Sequence, residues 1–164
     1  MATGWDGFPY AGGVKRLPVD LAELAALLDG ARGGPVRSFL DRTSGELESM
    51  PREVDDEAVF EDILTAPERW VEIQPLRFAE RRELRRRFVD QEVADPHLRL
   101  RLFEALEGAD PLGRFHGILR GHGSDLDRWF IFRAGQLAPL ARAWLSALDI
   151  EPVEGAPGRP ASLS

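Results

Sequence analysis

The sequence predicts an α+β protein: a small antiparallel sheet of about three strands packed against a mainly helical C-terminal half. Three observations point there. Two short apolar runs flank the turn Arg42-Thr43-Ser44-Gly45, a third run holds Trp70, Val71 and Ile73, and from Arg77 onward the apolar residues fall at helical spacing. Three short strands need a covering layer to be stable, and helices can supply it.

Element by element, Met1–Arg16 sets Trp5, Phe8 and Tyr10 among glycines without periodicity, which predicts a flexible arm. Asp20 caps a short helix with Leu21, Leu24, Leu27 and Leu28 inward, ended by Gly30, Gly33, Gly34 and Pro35. Val36–Asp41 and Glu46–Met50 form a β-hairpin, with Val36, Ser38 and Leu40 on one face and Arg37, Phe39 and Asp41 on the other. Asp55–Leu64 reads as an acidic amphipathic helix limited by Pro67, and Trp70–Ile73 as a strand stopped by Pro75.

The next helix, Arg77–Val93, sets Phe78, Leu84, Phe88 and Val93 to one side. Asp95-Pro96 and Asp110-Pro111 each start a helix, with Asp as N-cap and Pro as first helical residue. The first shows Leu98, Leu102, Ala105 and Leu106 and stops at Gly108; the second carries Leu112, Phe115 and Leu119 to Gly121. Ser124 with Asp127 resembles a capping box. After Trp129-Phe130-Ile131-Phe132, Pro139 predicts a break around Arg133–Gln136 before a last helix over Leu137–Leu148. Glu154–Ser164, with Pro157 and Pro160, reads as a disordered tail. The expected organisation is therefore an arm over 1–16, one domain over 17–153 and a tail over 154–164.

Composition narrows the function classes. The 164 residues contain no cysteine, which removes disulfides, thiolate metal sites and a Cys nucleophile. Neither a signal-peptide pattern nor an apolar run of membrane-spanning length is present, so the expectation is a cytoplasmic protein with no membrane partner. Acidic residues outnumber basic ones by 28 to 21, and the net charge of −7 argues against nucleic acid as a partner. Lys15 is the sole lysine; a GC-rich genome accounts for the arginine bias.

Several local strings, taken in order, resemble a bacterial group, uncharacterised protein family 0158. They are Phe39-Leu40-Asp41 with Ser44-Gly45-Glu46, then Arg69-Trp70-Val71-Glu72-Ile73, Phe88-Val89, Leu106-Glu107-Gly108, Arg114-Phe115, Trp129-Phe130 with Arg133, and Ala143-Trp144-Leu145. The match covers roughly Asp20 to Glu151. It implies a cytosolic α+β domain and brings no established activity. One departure stands out: where members carry a basic, Gly-rich turn, this chain has Ala109-Asp110-Pro111-Leu112-Gly113. If the family holds an anion there, this chain is not expected to.

No constellation has the spacing of a catalytic or metal site, and no cofactor is implied. His97, His116 and His122 are the only histidines, and none lies four residues from another. Gly121-His122-Gly123-Ser124-Asp125 lacks the nucleophile-elbow pattern. Arg81, Arg82 and Arg85 form a charged helix surface that is either solvated or paired with the acidic run Glu53, Asp55, Asp56, Glu57, Glu61 and Asp62. On the same helix, Glu83 with Arg87 and Arg86 with Asp90 are spaced as i,i+4 pairs. Glu107 with Arg133, near Trp129, Trp144 and His116, is either a buried ion pair beside core tryptophans or the rim of a pocket.

The expected function is a non-catalytic interaction or regulatory module that binds a protein partner or another copy of itself. One rival is a small-ligand-binding or hydrolytic domain using the Glu107, His116 and Arg133 region. A second is nucleic-acid binding through the arginine-rich helix.

Overall fold

The computed structural model describes residues 13–30, 36–51, 61 and 63–153. The chain forms two compact units: Met1–Gln74 together with Ala138–Ser164, and Pro75–Leu137. The expected tail, the first twelve residues of the expected arm and most of the acidic helix lie outside the described residues. Of that helix, residues 61, 63 and 64 are described, and they are helical, as is residue 65 just beyond it.

In the discontinuous unit, strand β1 (Lys15–Leu17) leads into helix α1 (Leu21–Leu28). Asp20 caps α1 as expected, accepting from the Glu23 N–H at 3.1 Å. Leu24, Ala25, Leu27 and Leu28 are buried, and Gly30 at φ +70° follows the last turn.

Strands β2 (Val36–Asp41), β3 (Leu47–Pro51) and β4 (Trp70–Ile73) form an antiparallel sheet in the order β3-β2-β4. The register pairs Leu40 with Leu47 and with Val71, and Asp41 with Trp70. The central strand is covered on both faces. Phe39 joins Met50, Ile63 and Trp70 in one cluster, while Leu40 on the opposite face is fully buried. Arg37 reaches across to Glu72 through two bonds of 3.0 and 2.8 Å, and Ser38 meets Ser49 at 2.8 Å.

Asp41 anchors the hairpin turn. Its carboxylate is buried and accepts from the Thr43 N–H (2.9 Å) and hydroxyl (2.7 Å) and from Arg69 Nε (3.2 Å) and NH2 (2.9 Å). Gly45 is required at φ +86°, and a Cβ there would press on Leu17 and Val19 at 3.1 and 3.2 Å.

One sheet goes beyond the sequence expectation. β1 pairs in parallel with β5 (Ile150–Pro152), Lys15 opposite Ile150 and Leu17 opposite Pro152. Lys15 and Arg16, expected in the arm, belong to a strand. A three-residue strand has too few positions to show a period, and its partner lies 135 residues away.

The 75–137 unit is helical. Helix α2 (Phe78–Glu92), α3 (Pro96–Glu107), α4 (Pro111–Arg120) and the first part of α5 (Gly123–Ala147) make it up. Leu84, Phe88 and Val89 of α2 face inward, but Phe78 is exposed, contrary to expectation. Six residues carry a helix about 600° round, which turns Phe78 some 120° from Leu84. In α3, Leu98, Leu102, Ala105 and Leu106 are buried as expected, and Asp95 caps it by accepting from the His97 N–H at 3.2 Å.

One cap and two helix boundaries need correction. Asp110 holds the N-cap position of α4 in a left-handed conformation, φ +46°, and makes no side-chain cap. Its carboxylate instead covers Gly113, where a Cβ would collide with it. Ser124 lies inside the first turn of α5, and the residue at the cap is His122, whose carbonyl accepts from the Leu126 N–H at 2.9 Å. The break expected around Arg133–Gln136 is absent, and α5 runs unbroken with Pro139 inside it. Burial on both sides of the proline holds the helix together, through Trp129 and Phe132 before it and Leu137, Ala141 and Leu145 after it. Gly135, the residue whose carbonyl faces the proline ring, is the type best able to yield there.

Candidate functional site

The arginine bias has a structural use in the helical unit. A helix C-terminus presents carbonyls without intrahelical donors and carries partial negative charge, which cations satisfy. Arg99 NH1 donates to the Val89, Asp90 and Val93 carbonyls at 2.9, 3.1 and 3.2 Å, and Arg128 NH1 to that of Glu92 at 3.2 Å, so two guanidiniums close α2. Arg82 does the same for α3, donating to Leu106 O at 2.8 Å.

Glu107 is gathered into this pattern. It pairs with Arg82 at 3.1 Å and with Arg86, while its own side chain is 56% exposed. The expected buried pair of Glu107 with Arg133 is thus corrected: Glu107 is an exposed partner of α2. The i,i+4 pairs read along α2 are corrected too, since Arg86 turns to Glu107, Asp90 to Arg99 (3.7 Å) and Arg87 to Gln136 (3.0 Å). Exposed ion pairs contribute little. Glu107→Gln is expected to lower stability by less than about 1 kcal/mol, with the difference shrinking in high salt when urea midpoints are compared.

Behind these pairs lies an aromatic cluster. Phe88, Phe115 and Trp129 are fully buried and meet edge to face, with Phe88–Trp129 and Phe115–Trp129 centroids both 5.4 Å apart. Phe132 sits 5.5 Å from Phe88. Arg85 lies over the Trp129 ring at 4.8 Å and the Phe115 ring at 5.7 Å, and its NH1 donates to the Arg81 carbonyl at 2.9 Å. Only 7% of Arg85 is exposed, so its place on the expected charged surface is corrected. The aromatic faces stabilise the cation electrostatically and the stem packs as an apolar chain. Arg81 and Arg82 are half-buried on the same helix.

On the outward side of α5, Phe130 is 39% and Ile131 74% exposed. Arg133 stands over Phe130 at 5.2 Å and over Trp129 at 5.8 Å, and the half-buried His116 lies 6.4 Å from Phe130, ring to ring. The structure thus sets His116 and Arg133 beside Phe130, with Arg133 also over the buried Trp129, and leaves Glu107 with α2. Trp144 belongs to the other unit, where it is half-buried. The sequence reading missed Phe130 and Ile131 as surface residues, although the signal was present: four consecutive apolar residues span about 300° of a helix and cannot all face inward.

Among the described residues no three His, Asp or Glu side chains come together as a metal site, and no helix is long and apolar enough to cross a membrane. The acidic run expected opposite the arginines lies outside the described residues apart from Glu61.

Comparison with known proteins gives a consistent family. A UPF0158 protein of Pseudomonas aeruginosa is 29% identical over 139 residues, which covers 85% of this chain and 88% of that relative. No solved structure matches the chain. The model of one family matches residues 19–157, beyond both ends of the resemblance read from local strings, and the chain belongs to that uncharacterised protein family, UPF0158.

Proposed function

We propose that this protein is a non-catalytic interaction module that binds a protein partner or another copy of itself through the outer face of α5. The observation that carries this reading is the adjacent pair Phe130 and Ile131, exposed on a helix whose opposite face is locked into the aromatic cluster. Rigid apolar side chains bordered by Arg133 and His116 combine an apolar centre with a polar rim, the composition of interaction patches. The arginines of α2 lend less support to nucleic-acid binding: Arg82 and Arg86 neutralise Glu107, and Arg85 is buried.

The test is light scattering after size exclusion across a concentration series, together with affinity capture. Ile131→Glu is expected to weaken the complex by roughly 2 kcal/mol or more, while its thermal midpoint stays at the wild-type value because the side chain is mostly exposed. A strict monomer that captures no partner would overturn the proposal.

A further inference from the structure

A groove of about 330 Å³ runs between α3 and α4, lined by Arg101, Glu104, Ala105, Arg114, Gly117 and Ile118. It is separate in residue content from the α5 face. Its two guanidiniums differ from those described above. Arg82 and Arg86 hold Glu107 and Arg99 and Arg128 close α2, whereas the guanidiniums of Arg101 and Arg114 make no hydrogen bond or ion pair among the described residues. Both are exposed, and Arg114 NH1 extends along the end of α3 to 3.7 Å from the Cβ position of Gly108.

The floor is apolar, formed by the buried Ala105 and the half-buried Ile118. Gly117 widens it, since a Cβ there would meet nothing within 4 Å. A glycine inside a helix costs about 1 kcal/mol relative to alanine, and no packing contact explains this one.

We infer that the α3–α4 groove binds an acidic peptide segment of a partner protein, its carboxylates on Arg101 and Arg114 and an apolar side chain on the Ala105–Ile118 floor. Glu104 points to a peptide. A carboxylate on the groove wall can accept hydrogen bonds from backbone N–H groups, which a peptide supplies beside its acidic side chains. Unpaired guanidiniums bind carboxylates in two-pronged fashion because their planar forks match that geometry.

The experiment is fluorescence anisotropy of a short labelled peptide alternating Glu and Leu, titrated with the full-length protein at low and moderate salt. Wild type is expected to bind in a salt-sensitive manner, and the same peptide with Lys in place of Glu is not. Arg101→Glu and Arg114→Glu are each expected to weaken binding by roughly tenfold or more. Gly117→Leu should abolish it with a thermal midpoint no lower than wild type, because the leucine fills open groove space and is the better helix former. Ile131→Glu should leave peptide binding intact, which separates this site from the α5 face. Wild-type failure to bind the acidic peptide, undiminished binding by folded Gly117→Leu, or equal competition by inorganic phosphate would each overturn the assignment.

Discussion

Trp129→Ala is expected to lower stability by about 3–5 kcal/mol, the range for removing a large aromatic from a core. The indole is fully buried, sits edge-on to Phe88 and Phe115, and lies under the Arg85 guanidinium. Truncation opens a cavity that these neighbours cannot close. It also strips Arg85 of the ring that compensates for its burial. Urea unfolding followed by far-UV circular dichroism provides the measurement. The neighbouring Phe130→Ala serves as control and should cost less than about 1 kcal/mol, since much of that ring is already in solvent. Equal losses at the two positions would contradict the inward and outward assignments of α5.

Asp41→Asn is the second large effect, and it carries a pH signature. Burial pushes the Asp41 carboxyl upward, but the Arg69 guanidinium, the Thr43 hydroxyl and N–H and the Ser44 hydroxyl outweigh it and hold the group well below the ordinary carboxylate range. A folded-state value below the unfolded one of about 3.9 means that the ion pair stabilises the protein at and above about pH 4. That contribution drains away as pH falls through the depressed folded value. Asparagine keeps the shape but loses the charge, so a loss of about 2–3 kcal/mol is expected at neutral pH. The figure stays at the low end because Arg69 is half exposed. The variant should also lose less stability than wild type on acidification, and parallel acid-unfolding profiles for the two would refute the assignment.

The sheet and most of the helix starts could be read because their signals are local. Asp20, Asp95-Pro96 and the Thr43–Gly45 turn each carry their reason within a few residues, and each appears where expected. What failed was decided at a distance. The role of Pro139 depends on packing along the whole of α5, which no propensity encodes. The partner of Glu107 could not be read from spacing, because Arg82 and Arg86 reach it from another helix. Of the candidate site residues, Arg133 and His116 both approach Phe130, and Arg133 also stands over the buried Trp129. The α3–α4 groove left a fainter trace: a glycine in mid-helix with no turn or cap to account for it.

The parallel pairing of β1 with β5 has a consequence for how the molecule is made. During synthesis from the N-terminus, Lys15–Leu17 emerges early and must wait until Ile150–Pro152 has been added before its hydrogen bonds can form. The helical stretch from Pro75 to Leu137 is complete in sequence well before then. Of the described strand pairings, that of β1 with β5 is therefore the last whose two strands are both made, and the helices of 75–137 can settle before it closes.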